Sequence, residues 1–224
     1  MMALSRCHDP SPGALRGMAR DIARREGSIV VHTTIAQEAE KFHPLNTRDL
    51  FIWAATLLAF PVAGVAADAV VGPVDSVWAA VLAGAIAGGV IGTGQWLALR
   101  RIGADVRWIA ATAVGLGIGL GLAFAVFGYG TTTADLAVLG ALTGLGIGIA
   151  QWWLLRDLVL GAGMWVPTST AAWALGWTVT ISIGIDPADR WAVPGLSGAL
   201  TITLLMGGLL WFLARRGVRA HSST

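Results

Sequence analysis

The chain has 224 residues, is 55% hydrophobic and only 12% charged, and carries a formal net charge of +2 with a pI near 9.3. A soluble domain carries about 25% charged residues, so this composition argues against a water-exposed globule. The basic pI does not indicate nucleic-acid binding, because the arginines fall in short scattered clusters that read as topology signals. Thirty glycines and eleven tryptophans suit a membrane protein: glycine is frequent in membrane helices and tryptophan gathers at membrane interfaces. The single cysteine, Cys7, rules out an intramolecular disulfide and any multi-cysteine metal site. Fourteen arginines to one lysine, with abundant alanine and glycine, hint at a GC-rich bacterial genome.

Residues 1–49 form a cytoplasmic tail. It holds arginines but no prompt apolar core, so it lacks the pattern of a signal peptide. Leu15, Met18, Ala19 and Ile22 lie opposite Arg16, Arg20, Arg24 and Arg25, the pattern of a helix on an anionic leaflet. A second short helix would begin at Thr34, with Gln37 as its capping partner. An unstructured tail, or a true start at Met18, fits the same residues. Six stretches free of Asp, Glu, Lys and Arg then follow: Leu50–Ala67, Ser76–Leu99, Trp108–Ala134, Leu136–Leu155, Leu158–Ile185 and Trp191–Ala214. A membrane helix needs roughly 17–25 apolar residues, and the two-residue alternation of a β-barrel is absent. The expected fold is therefore an all-α integral membrane bundle of six transmembrane helices in residues 50–215, followed by a cytoplasmic tail, 216–224. Fourteen of fifteen basic residues fall on one side of such a bundle; only Arg190 falls on the other, with Asp68, Asp75, Asp135, Asp186 and Asp189. The positive-inside rule places both termini in the cytoplasm. Trp53, Trp96, Trp108, Trp152, Trp153, Trp165 and Trp211 would form an inner interfacial belt, with Trp78 and Trp191 near the outer face.

The chain repeats itself. Gly84–Arg100 reads GAIAGGVIGTGQWLALR and Gly140–Arg156 reads GALTGLGIGIAQWWLLR, with nine of seventeen positions identical at an offset of 56. A degraded third copy, Gly198–Arg215, keeps the GALT start and the Trp-to-Arg ending but has lost the glutamine. The unit is a helical hairpin, present three times as residues 50–100, 107–156 and 164–215. Each hairpin starts and ends inside, so the repeats are parallel, which disfavours inverted-repeat transporter folds. Gly84, Gly88 and Gly92 lie four residues apart on one helix face, as do Gly140, Gly144 and Gly148. Small residues so spaced let two backbones approach closely, and Thr112, Gly115 and Gly119 of the third helix offer a facing surface. Gln95 and Gln151 continue these stripes. Their amides would hydrogen-bond between helices, or join Trp96, Arg100, Trp152 and Arg156 in a corner for a ligand or anionic lipid headgroup. The motif G-x-x-x-G-x-x-Q-W-x-x-L-R, followed by a short loop and a Trp-led helix, resembles a group of uncharacterised bacterial multi-pass membrane proteins. The resemblance covers Gly84–Gly119 and Gly140–Gly176 and implies no activity; the third copy departs from it.

No charged residue stands at the centre of a span, which argues against ion-driven transport. The fifth span is the most polar. Thr170, Thr178 and Ser182 could line a pore, or bond their own helix carbonyls inside a bundle. Pro61 reads as a kink and Pro167 as a first-turn proline. His8, His32, His43 and His221 show no ligand spacing, and the Gly115–Gly121 run lacks a Walker lysine and a preceding strand. No catalytic, metal or cofactor site is expected. The sequence reads as a non-enzymatic structural or partner-binding bundle of the bacterial inner membrane. Its partners are expected among bilayer lipids, anionic headgroups, further copies or other membrane proteins, with no nucleic acid. The alternative is a small channel or transporter for a neutral solute or lipid.

Overall fold

The computed structural model describes residues 47–128, 130, 132–156, 159, 161–184 and 195–221, with backbone alone at 102 and 216–221. The tail helices expected from Leu15 and Thr34, Cys7 and the first three histidines, Arg190, and Trp191 lie outside the described residues.

The fold is all-helical, with no strand among the described residues. Among the described residues, six long helices follow in order: α1 Thr47–Val71, α2 Val77–Leu99, α3 Arg107–Phe127, α4 Thr133–Leu155, α5 Trp165–Ser182 and α6 Leu196–His221. All but α5 are long and apolar enough to cross a membrane. Helix α5 has 18 residues and is the richest in hydroxyls. A short 3₁₀ stretch, Thr56–Leu58, interrupts α1 ahead of Pro61.

Local chemistry sets the boundaries. Ser76 caps α2, its Oγ accepting from the Ala79 N–H at 3.2 Å. A capping box opens α4: Thr132 Oγ1 accepts from the Asp135 N–H at 3.1 Å, and the Asp135 carboxylate accepts from the Thr132 N–H at 3.2 Å. Two charge-free stretches overran their helices. The run Trp108–Ala134 contains a helix that stops at Phe127, because Gly128 adopts φ +62°, a left-handed conformation that ends the helix. The run Leu158–Ile185 contains a helix that starts only at Trp165, after Gly161 at φ +83° and one 3₁₀ turn, Ala162–Met164.

Each helix packs on its chain neighbours, and the N-terminal half of α1 also meets α6, closing the bundle. Many large aliphatic side chains point outward. On α3, Val114, Ile118, Leu122 and Val126 form an exposed stripe at four-residue spacing, while Gly115, Gly119 and Ala123, one residue further on each turn, are buried. Lipid tails solvate such an outer face as well as a protein core would, so close packing of small residues is what draws the helices together. The interior holds aromatic rings. Phe60 of α1 lies 5.9 Å from the Trp173 ring of α5, and Trp108 of α3 meets Trp165 of α5 edge-on at 5.8 Å.

This corrects the reading of the tryptophans. Trp53, Trp108 and Trp165 stand near helix ends, as an interfacial belt requires, but they are 3%, 1% and 1% exposed and belong to the core. Trp153 and Trp78, at 58% and 80%, are the strongly exposed ones.

Candidate functional site

The polar centre of the bundle is a hydrogen-bonded network across four helices. The Trp108 indole N–H of α3 donates to Gln95 Oε1 of α2 at 3.0 Å. The Trp165 indole N–H of α5 donates to Gln151 Oε1 of α4 at 2.8 Å. An indole N–H can only donate, so each tryptophan dictates which end of its glutamine amide faces it. The Gln151 Nε2 group is thereby aimed at two acceptors, Gln95 Oε1 at 3.1 Å and Thr112 Oγ1 at 2.9 Å. The Thr112 hydroxyl in turn donates a hydrogen bond to the Trp108 carbonyl at 2.8 Å. Gln151, Trp108, Trp165 and Thr112 are at most 1% exposed, and Gln95 is 8% exposed. Interhelical hydrogen bonds in membranes are worth about 0.6 kcal/mol on average and about 1.7 at most. The network is thus a modest stabiliser, while losing one partner would leave a buried donor unmet at about 1–3 kcal/mol.

The glycine stripes set the distance across which this network forms. A Cβ placed at Gly84 would lie 2.8 Å from the Leu116 carbonyl oxygen, at Gly88 2.6 Å from that of Thr112, and at Gly92 2.9 Å from the Thr112 Cβ. In α4, Gly140 and Gly144 abut the Trp173 and Ser169 carbonyls, and Gly148 faces the Val166 Cα at 3.0 Å. The two stripes therefore face α3 and α5 respectively. Thr112 does face α2, but Gly115 and Gly119 do not. They abut Gly146–Ile147 and Leu142–Thr143 of α4, and the glycines opposite α2 are Gly117 and Gly121. Helix α3 lies between α2 and α4, so residues two apart in its glycine run serve opposite neighbours.

The third corner differs. Here α6 carries Leu210 at the place of the glutamine, immediately before Trp211 as Gln151 is before Trp152. The buried Trp53 indole of α1 donates instead to a backbone group, the Thr203 carbonyl, at 2.9 Å, with its ring against Gly207. Ser169 of α5 follows Trp165 by four residues, as Thr112 follows Trp108, yet its hydroxyl, fully buried, has no partner.

On α5 the candidate lining hydroxyls bond their own helix. Thr170 Oγ1 donates to the Val166 carbonyl, Thr178 Oγ1 to that of Ala174, both at 2.9 Å, and Ser182 Oγ to that of Thr178 at 2.7 Å. Thr170 and Thr178 are half-buried and Ser182 is exposed.

The arginines of the repeated corners stand apart from the glutamines. They lie over tryptophan rings toward the C-terminal ends of the even helices, Arg156 and Arg215 in contact and Arg100 farther off. Arg100 lies 5.7 Å from the Trp96 ring centroid, Arg156 3.6 Å from Trp153, and Arg215 3.7 Å from Trp211. The ring beneath Arg156 is therefore Trp153 rather than Trp152, which contacts Trp153 edge-on at 6.3 Å. Motif reading grouped glutamine, tryptophan and arginine into one corner. It set Trp108 and Trp165 in the interfacial belt and Thr112 on a surface facing the glycine stripe, and joined none of them to the glutamines, although in both copies a tryptophan follows the glutamine after 13 or 14 residues. Among the described residues, no group of three or more His, Cys, Asp or Glu side chains is placed to hold a metal ion.

No family model, curated protein or solved structure matches this chain.

Proposed function

We propose that the chain is an integral membrane protein of the bacterial inner membrane, spanning it six times with both termini cytoplasmic. In this reading it acts as a non-enzymatic scaffold that binds lipids and other membrane proteins. The repeated G-x-x-x-G-x-x-Q-W-x-x-L-R segments support this reading through their resemblance to uncharacterised bacterial multi-pass membrane proteins. One observation carries the functional part: the glutamines of both copies are closed off in contacts with Trp108, Trp165 and Thr112. The hydroxyls of Thr170, Thr178 and Ser182 likewise bond their own helix. Groups committed in this way offer little to a passing solute, and the outward apolar faces suit lipid and partner helices.

The second reading, a conduit for a neutral solute or lipid, has its own support. Buried polar atoms of Thr143, Ser169, Trp177, Ser197 and Thr203, all on α4–α6, have no hydrogen-bond partner. One preparation tests both. Cross-linked in native membranes and purified, the protein is expected to bring down the same membrane partner in fixed ratio. Reconstituted in liposomes, it is expected to pass no neutral solute faster than empty vesicles do. A flux that Ser169→Ala or Thr203→Val alters, with no reproducible partner, would overturn the scaffold reading.

A further inference from the structure

The three Arg–Trp stacks lie at one end of the bundle. Gln95 and Gln151 touch, and Arg100 and Arg156 each follow five residues later, so those two share an end. A Cβ at Gly161, just past α4, would lie 3.3 Å from the Leu213 side chain, which puts Arg215 at that end as well. Arg156 and Arg215 sit at contact distance, 3.6 and 3.7 Å from the ring centroid, and Arg100 farther off at 5.7 Å. A guanidinium over an indole is held through its π-face, which does not use its in-plane fork of N–H donors. That fork matches a phosphate group bidentately, and tryptophan rings settle at the headgroup level of a bilayer. Arg107 pairs with Asp105 at 3.0 Å, and among the described residues Arg100 and Arg215 meet no carboxylate. Trp153 and Trp211 are exposed, so headgroups can reach the stacks from the lipid side.

The geometry points to three quasi-equivalent sites for anionic phospholipid headgroups, one at each even helix: Arg100 on Trp96, Arg156 on Trp153 and Arg215 on Trp211. Each guanidinium takes a lipid phosphate, and each indole fixes the guanidinium at headgroup depth. The glutamines take no part, being held in the core. This inference rests on the proposed membrane location but needs neither the scaffold nor the conduit reading.

The full-length protein is reconstituted in nanodiscs with spin-labelled phosphatidylglycerol or phosphatidylcholine, and the motionally restricted fraction is read by electron paramagnetic resonance. Wild type is expected to prefer phosphatidylglycerol about fivefold at each stacked site, the effect of roughly one well-placed arginine at a membrane surface. Arg100→Gln, Arg156→Gln and Arg215→Gln should each remove about a third of the selective sites. Arg101→Gln removes the same charge from an exposed neighbour that lacks a ring partner, and should leave selectivity unchanged. Equal losses from Arg101→Gln and Arg100→Gln would reduce the effect to net charge and overturn the proposal. Displacement of the labelled lipid by inorganic phosphate at equal ionic strength would also overturn it, by showing a free-anion site. Trp211→Leu, which keeps Arg215, should lose selectivity at that corner; full retention would contradict the role of the stack. Circular dichroism of every variant checks that the helices are intact. Failure of wild type to enter nanodiscs would refute the membrane location, whereas entry without selectivity would refute only these sites.

Discussion

Replacing Gln151 with leucine tests the buried network directly. The side chain makes three hydrogen bonds, donating to Gln95 at 3.1 Å and to Thr112 at 2.9 Å and accepting from Trp165 at 2.8 Å. At about 0.6 kcal/mol each, their loss costs about 2 kcal/mol. Orphaning the Trp165 N–H, whose side chain is 1% exposed, adds about 1 kcal/mol or more. Leucine is cheaper than an amide in an apolar core and returns about 1 kcal/mol. The net expectation for Gln151→Leu is a loss of about 2 kcal/mol, a factor of about 30 in the folded population. Unfolding by SDS in mixed micelles, followed by far-UV circular dichroism, reads this as a lower midpoint. Trp165→Phe removes the donor alone. The double-mutant cycle with Gln151→Leu should then return a coupling of about 0.6–1.7 kcal/mol. A midpoint for Gln151→Leu at or above that of wild type, or a cycle closing within about 0.3 kcal/mol, would refute the reasoning.

Three further outcomes follow from the same geometry. Gly88→Ala should destabilise by about 1–3 kcal/mol, because its Cβ would meet the Thr112 carbonyl at 2.6 Å, and Gly88→Leu or Gly144→Leu should prevent folding. Gly89→Ala, with nothing within 4 Å, should be neutral or gain up to about 1 kcal/mol; the reverse order in an SDS titration would contradict the packing. Leu210→Gln restores the missing amide beside a helix whose Ser169 hydroxyl lacks a partner. It should therefore be tolerated better with Ser169 present than in Ser169→Ala, by about 1 kcal/mol in the same assay, and equal effects would show that the corners are not equivalent. In the α2–α3 loop, hydrogen bonds from the Arg107 side chain and backbone N–H hold the Asp105 carboxyl below its usual range. A lowered folded pKa means the clasp stabilises the loop above the ordinary Asp range and is lost as the pH falls through the folded value. Intrinsic-rate-corrected hydrogen exchange at the Arg107 amide should show protection that survives acidification through the ordinary Asp range and falls only below it; protection lost within or above that range would contradict the clasp.

The helices were legible because charge and apolar length mark them independently. Their ends were less so. Gly128 and Gly161 end or precede helices by backbone conformation, and glycine carries no charge to break an apolar run. Helix α5 was legible as the polar one, though hydroxyls that bond their own carbonyls look in sequence like hydroxyls that line a path. The tryptophans misled for a related reason. Trp108 stands in the first turn of its helix, where an interfacial anchor would stand, and its burial and its bond to Gln95, thirteen residues earlier on the neighbouring helix, mark it as a core residue. The glycine run of α3 carried too little phase to say which residues meet α2 and which meet α4; that follows from its place between them.

The closure of the bundle through Trp53 and the Thr203 carbonyl bears on how the chain is made. The bonds from Trp108 to Gln95 and from Trp165 to Gln151 join residues 13 and 14 apart, so they can form as soon as each new helix enters the bilayer. The bond from Trp53 joins residues 150 apart. Helix α1 has to wait, its indole unmatched, until α6 has emerged, and contacts of such long separation form slowly. Assembly thus has a defined final step, the meeting of α6 with α1. A chain stopped before α6 would carry two finished glutamine corners and an open seam.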